Sequence, residues 1–449
     1  MELKSIFKSN STLSFLGNLV ISIAGMVNFM LIARLVSTDE LGQYAIFLAA
    51  STFLEMIRLG LTHNGLIRFI ATGTTEDKNQ FIGTAYLMGL ALAIFLALFF
   101  ILVAKVGDLI SLDFSAYQLF IFWYPLFSVA TFPLKNALTL LQADLNFGRI
   151  LVLKILNVLP LSIVLVVSIF YLHTISIDNV MLVMVLSSGL LSLVMIFLKL
   201  DGSNHWRSFK IFSYKKLVSF GKYNSLTLLG TNLLQSVDMF LIGLSPLGPV
   251  AVAIYSIPLK YVEIMQMPLR SLAAAAYPLM ARFADQNDWT GFRKLLYSRS
   301  GFLLIGFAPI CVLLIFLAPL FIRFIAGNSF YEANGDIASD LLILFAIVSL
   351  FMPLDKFTGA ALDAMNRPRA NTVKVFIMLG INVLIDVIAL WSFNNLQLMA
   401  LGSIVYTLVG GLIGYYYLKD KFNFSLKEFL TEGFLAINIL VDKLRLSRK

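Results

Sequence analysis

Twelve apolar runs, each about 20 residues or longer and so long enough for a helix to cross a bilayer, leave this chain few ways to fold. They fall near 12–33, 41–67, 82–104, 116–141, 150–171, 178–198, 217–243, 250–281, 300–322, 341–363, 373–392 and 397–418 of its 449 residues. Hydrocarbon offers no partner to a backbone N–H or C=O, so each run must be a helix that satisfies its own groups. The expected fold class is an all-α polytopic membrane protein. With 59% hydrophobic residues against 13% charged, the chain is too apolar for a soluble protein of this size. The first run is too long for a signal-peptide core and no small-x-small cleavage site follows, so it counts as an uncleaved span. The lone Cys311 sits inside an apolar run and leaves no disulfide framework or thiolate metal centre.

The net charge of +9 raises the question of where the cations lie. Only Arg34, Lys105 and Arg323 fall in links on the side opposite the N-terminus; the links around Lys199–Lys222 and Arg282–Arg299 and the tail after Lys419 carry most of the rest. That asymmetry places both termini in the cytoplasm. The basic excess then answers to topology and to anionic membrane lipids, and nucleic acid is not needed to explain it.

Corresponding residues recur along the chain. Asn28 and Asp238 each open a similar apolar hexapeptide 210 positions apart, and Tyr44 and Tyr255, then Arg58 and Arg270, follow at offsets of 211 and 212. Further on, Pro133 and Lys135 face Pro353 and Lys356, and Lys154 faces Lys374, at offsets of 220 or 221. Collinear matches of this kind describe two six-helix halves, and an even number of spans gives both halves the same orientation. The expected organisation is a first lobe over 1–198, a cytoplasmic linker over 199–216, a second lobe over 217–418, and a basic tail over 419–449. In the tail, Leu426, Phe429, Leu430, Phe434, Ile437, Leu440 and Leu444 recur at near-helical spacing, which predicts an amphipathic helix lying on the inner membrane surface.

Six basic residues fall inside spans: Arg58, Lys135, Lys154, Lys260, Arg270 and Lys356. Facing lipid, all six together would cost on the order of 15–20 kcal/mol, more than a typical domain's stability. They must be paired, turned inward or snorkelled. Glu55 with Arg58, and Lys260 with Glu263, are spaced for ion pairs on one helix face. Glu263 returns to the face of Arg270 two turns on. Lys154 and Lys374 lie near span ends, where a lysine stem snorkels to the interface. Arg58 and Arg270 are too deep for that and are candidate contacts for an anionic ligand, with a structural ion pair as the competing reading. Lys135 and Lys356 carry the same two readings, and Lys260 joins them as a candidate contact that its own Glu263 neutralises. Glu55, Asp238, Glu263 and Asp386 are candidate proton or sodium-coupling carboxylates; for Asp238 and Asp386, helix capping or an interhelical hydrogen bond competes. Pro258, Pro268 and Pro278 should bend the helix that carries Arg270.

Enzymatic signatures are missing from the sequence. His63, His173 and His205 lie on separate segments without metal-ligand spacing, and no phosphate-binding loop or nucleophile elbow is present. The chain is expected to be a transporter, with no cofactor and no metal.

The stretch from Ala33 to Phe47 (ARLVSTDELGQYAIF), mid-helix Arg58, the Asp238 to Tyr255 segment and the Pro278 to Asp285 exit (PLMARFAD) resemble the oligosaccharide flippase family. These are the Wzx-type O-antigen and polysaccharide translocases of the multidrug and oligosaccharidyl-lipid exporter superfamily. Two positions depart from the family pattern: Thr38 stands where a proline is common, and Ala253 where a glycine often precedes the second tyrosine. The resemblance implies a MATE-like bundle of twelve helices in the bacterial cytoplasmic membrane. It further implies transfer of undecaprenyl-pyrophosphate-linked glycan from the inner to the outer leaflet by alternating access. Arg58, Arg270, Lys135 and Lys356 would contact the pyrophosphate or acidic sugars, and a polysaccharide polymerase and glycosyltransferases are candidate partners. The competing reading from the same superfamily is a proton- or sodium-coupled exporter of small cations, using the four carboxylates above. A non-transporting scaffold for glycan assembly is the third, and for it buried cations would be a cost with no return. A pocket rich in fixed cations disfavours a cationic substrate.

Overall fold

The computed structural model describes residues 10–72, 75–110 and 114–446. Lys4 and Lys8 at the start, and the tail side chains of Leu440 and Leu444, lie outside the described residues. Among those described there is no strand. The helices are α1 (Asn10–Leu35), α2 (Thr38–Arg58), α3 (Asn64–Thr72), α4 (Thr75–Ile110), α5 (Gln118–Ala143), α6 (Phe147–Val167) and α7 (Ile177–Phe197), followed by α8 (Ile211–Leu244), α9 (Gly248–Asp285), α10 (Trp289–Ala326), α11 (Asn328–Ala364), α12 (Pro368–Val387), α13 (Leu396–Leu418) and α14 (Leu426–Leu446). By length and composition eight described helices suffice to cross a membrane, counting α2 to α3 as one. α1 and α8 contain shorter apolar stretches, Leu19–Leu35 and Leu228–Leu244. α5 and α9, whose apolar runs are interrupted by Lys135 and by Lys260, Glu263 and Arg270, complete the twelve expected segments. The protein is a multi-pass membrane protein.

The repeat is written into the backbone. α6 ends in a π-helical turn over Ser168–Leu172, and α12 in one over Ile388–Ser392, 220 positions later. The turn into α6 passes through Leu145 and the turn into α12 through Asn366, both with left-handed φ. Pro133 and Pro353 each lie inside a helix of their half, and the three prolines of α9 lie inside it without ending it.

Packing divides the chain into two compact units, the first reaching Leu244 and including Gly248–Ala253, the second formed by Ser245–Leu247 and everything from Ile254 on. The expected second lobe began at residue 217, yet α8 packs with the first unit. Glycines allow this. A Cβ on Gly60 would lie 2.4 Å from the Cα of Ser225, and one on Gly221 would lie 2.6 Å from the carbonyl of Leu61, so α8 meets the α2–α3 junction backbone to backbone. Part of the expected linker is docked on the first unit. Asn136 Nδ2 donates to the Asp201 carbonyl at 2.6 Å, Asp201 Oδ1 accepts from Ser203 N and Oγ at 3.1 and 2.7 Å, and a 3₁₀ turn over Ser203–Ser208 lies against α4. α2 opens on a capping box: Ser37 Oγ accepts from Glu40 N at 3.3 Å and the Glu40 carboxylate accepts from Ser37 N at 2.9 Å.

In the second unit, Phe292, Tyr297, Phe307, Phe357, Leu418 and Phe429 form one buried core. Phe429 belongs to the tail helix α14, which packs along α10. Gly301 and Gly433 meet at that contact, and Arg293 pairs with Glu428 at 3.2 Å beside it. The reason is local: of the tail's apolar stripe, Phe429 has an aromatic socket on Tyr297 and Phe424, and two glycines let the backbones close. Phe434 and Leu435 remain exposed. A Gly433→Leu substitution places a Cβ 2.7 Å from the Gly301 carbonyl carbon. It should cost about 1–3 kcal/mol, lower the thermal midpoint and open the tail to limited proteolysis; a tail as protected as in the parent would contradict this packing.

Candidate functional site

Three helices of the first unit bring their charges to one place. Glu55 and Arg58 lie one turn apart near the end of α2. Regular α geometry gives way there to a π turn over Leu59–His63, a feature that often marks functional sites. The Arg58 guanidinium grips Glu55 Oε1 with Nε at 2.7 Å and with Nη2. The other carboxylate oxygen, Oε2, accepts from Lys135 Nζ at 2.9 Å, so one buried carboxylate joins α2 to α5. Lys135 also stands 5.4 Å from the centre of the Phe127 ring. Below it, Thr139 Oγ1 donates to the Lys135 carbonyl at 3.0 Å and lies 2.8 Å from His63 Nδ1. The Arg58 carbonyl accepts from Thr62 Oγ1 at 2.9 Å.

These groups line a cavity of about 410 Å³ closed by α1 at Gly17 and by the start of α6, which adds Lys154. Its lining holds three cationic side chains, Arg58, Lys135 and Lys154, against the single carboxylate of Glu55. Lys154, expected to snorkel, faces this cavity. Arg58 is almost wholly covered, with 7% of its side chain exposed, while Glu55 and Lys135 keep 20% and 29%, so the pair stays reachable from the cavity. A wall of this sign, with donors already oriented, suits a phosphate or carboxylate oxygen more than a cation.

The second unit holds a related cluster built from different positions. Lys374, also expected to snorkel, is 2% exposed and donates to the Asp355 carbonyl at 2.8 Å, with its Nζ 2.8 Å from Asp355 Oδ1. Asp363 accepts from Asn371 Nδ2 at 2.9 Å. Lys356 is exposed, and the charges acting on it are those of Asp355, Arg270, Lys374 and Asp363. Arg270 is exposed as well and donates to Gln266 one turn earlier. Lys260 and Glu263 form the expected ion pair at 2.7 Å, with Lys260 largely covered and Glu263 open. Asp238 on α8 and Asp386 on α12 are both buried, Asp386 completely, and both are engaged by neighbours.

Sequence periodicity foresaw the Glu55–Arg58 and Lys260–Glu263 pairs. It missed the reach of Lys135 to Glu55, the His63–Thr139 contact and the burial of Lys374. For Lys374 a signal existed: Lys374, Met378, Asn382 and Asp386 recur every four residues and make one buried stripe of α12.

A profile of the polysaccharide biosynthesis protein family matches residues 7–284, more than half the chain, and a MatE profile matches residues 225–388. No match is found among curated protein sequences. Among solved structures, an inward-facing multidrug resistance MATE family transporter is similar over 89% of this chain and 94% of its own, at 12% identity and a TM-score of 0.75. The lipid II flippase MurJ in an inward closed conformation is similar over 97% of this chain and 92% of its own, at 17% identity and a TM-score of 0.70. A point mutant of the Vibrio cholerae MATE transporter VcmN follows at 17% identity and a TM-score of 0.61, over 93% and 98%. At these identities the likeness is one of fold.

Removing the shared carboxylate should leave Arg58 and Lys135 facing each other unneutralised. Glu55→Gln is expected to cost about 1–3 kcal/mol, below the value for fully buried pairs because Glu55 and Lys135 stay partly open. Adding Lys135→Met should recover part of that loss in thermal unfolding of the detergent-solubilised protein; strictly additive losses would contradict the pairing.

Proposed function

This chain belongs to the polysaccharide biosynthesis protein family of membrane transporters, and from that premise we propose that it is a flippase for lipid-linked oligosaccharide. The substrate class is an O-antigen, capsule or exopolysaccharide repeat unit on undecaprenyl pyrophosphate. It passes from the inner to the outer leaflet of the bacterial cytoplasmic membrane by alternating access, with both termini in the cytoplasm. The observation that carries this reading is the excess of cations over carboxylate in the membrane-embedded cavity of the first unit. A pyrophosphate brings negative charge to a wall that carries Arg58, Lys135 and Lys154. A planar guanidinium grips it in two places, and a lysine tracks it as a point charge. Arg270, Lys356 and Lys260 of the second unit are the further candidate contacts along its path. The fold shared with a lipid II flippase is consistent with a cargo of this kind.

Glu55 has a second role in this scheme. Its carboxylate holds both cations when the cavity is empty, and an arriving anion competes for them, so the Glu55 ion pairs are the groups that substrate exchanges. Asp238, Glu263 and Asp386 are the remaining candidates for ion coupling. The MatE match over residues 225–388 favours a second reading, a proton- or sodium-coupled exporter of small cations. The charge of the cavity weighs against it.

In cells deprived of the native copy, Arg58→Ala or Lys135→Ala should reach the membrane at normal levels yet lower surface glycan about tenfold or more. Full glycan export by both variants would refute the assignment. A deletion strain should keep its resistance to cationic dyes; lost resistance with intact glycan would favour the exporter.

A further inference from the structure

Helix α6 has a cavity on each side. Phe147, Ile150, Leu151 and Lys154 face the cation-lined cavity, whereas Gly148, Arg149, Val152 and Leu153 face a second hollow of about 500 Å³. This groove lies between α6, the end of α5 and the end of α7, and its other walls are Leu141, Met195, Leu198 and Leu200. Leu153 and Met195 are buried and form its base, while Val152 and Leu198, each 54% exposed, form an open rim. Gly148 leaves space on its wall of the groove, since a Cβ there would meet nothing within 4 Å. Arg149 supplies its only charge and is exposed. Among the described residues Arg149 takes part in no salt bridge.

One helix, about 10–12 Å across with its side chains, thus separates a cavity suited to an anionic head from an apolar trough with a guanidinium at its mouth. A single molecule with both properties, a diphosphate on one long apolar chain, would satisfy both sides of α6. We propose that the groove on α5, α6 and α7 is a docking site for the polyprenyl chain of the lipid-linked substrate, holding it while the diphosphate engages Arg149 and then the cavity. This assignment rests on the flippase reading. The chain gains little by leaving lipid, because lipid is as apolar as leucine. What the groove adds is placement, keeping the head beside the cavity at high effective concentration. Bulk phospholipid, with two acyl chains and no diphosphate, is the occupant this geometry disfavours.

The test uses the full chain in nanodiscs of phosphatidylethanolamine and phosphatidylglycerol, with photoreactive benzoylphenylalanine at position 152 and a tritiated polyprenyl diphosphate as probe. Labelling at 152 should saturate and yield to unlabelled polyprenyl diphosphate but not to added phosphatidylglycerol. Gly148→Leu, whose Cβ would meet nothing within 4 Å and whose side chain would take up groove space, should cut it about fivefold. The same photoreactive residue at position 190, an outward leucine 63% exposed, should label without saturation and ignore Gly148→Leu. Labelling at 152 that does not saturate, that phosphatidylglycerol displaces, or that survives Gly148→Leu unchanged would overturn the groove assignment, while the effect of Arg58→Ala on glycan export would still stand for the flippase. Specific labelling at 152 together with normal export by both Arg58→Ala and Lys135→Ala would instead overturn the flippase reading and keep the groove as a polyprenyl lipid site.

Discussion

A charge inside a membrane needs a partner or water, and for Arg58 and Lys135 that partner is the carboxylate of Glu55. An arginine or lysine facing hydrocarbon costs roughly 2.5–3.5 kcal/mol on the mildest scale, so Arg58, Lys135 and Lys154 need a wet or paired setting. Glu55 provides the pairing for two of them, with one oxygen to each. The arrangement also fixes structure. Because Arg58 sits on α2 and Lys135 on α5, the carboxylate fastens two helices whose residues lie 80 positions apart, and it does so at the point where α2 loosens into a π turn. The same tie leaves the cavity short of negative charge, which is the property a phosphate-bearing cargo can use.

The two halves show how a duplicated backbone and duplicated chemistry part company. The π turns that close α6 and α12 keep their 220-residue offset, and so do Pro133 and Pro353. The ion pairs do not. In the first unit the counter-ion is Glu55 on α2 and the lysine is Lys135; in the second it is Asp355 on α11 and the lysine is Lys374, while Lys356 and Arg270 are exposed. Backbone geometry is held by every residue of a packed helix, whereas a buried charge needs only one partner within reach. The partner can move to another helix without disturbing the fold.

That difference also explains what could be read from the sequence. Apolar runs and ion pairs three residues apart are properties of a single stretch of helix, and both are found in the structure. Contacts between helices leave no periodic trace. Nothing near Lys135 announces Glu55, and the edge position of Lys374 hides the fact that α11 brings Asp355 over it. Glycine was the other silent element: Gly60 and Gly221 bring α8 against the first unit, and Gly301 and Gly433 draw α14 onto α10. A residue without a side chain marks a close approach only once its opposite number is known. The turn at Asp201 and Gly202 belongs with these, since its buried carbonyl depends on Asn136 from another helix.

Under the proposed function, cations fixed within the membrane carry an anionic lipid head across it. Reconstitution of the purified chain in liposomes, with a fluorescent polyprenyl-diphosphate oligosaccharide confined to one leaflet and read by quenching with an impermeant reductant, puts this to the test. Label should cross at a rate set by the amount of protein, and the double variant Arg58→Ala, Lys135→Ala should bring the rate to that of empty liposomes. Equal rates for the parent and the double variant, or transport of a cationic dye by liposomes that leave the glycolipid where it was, would contradict it.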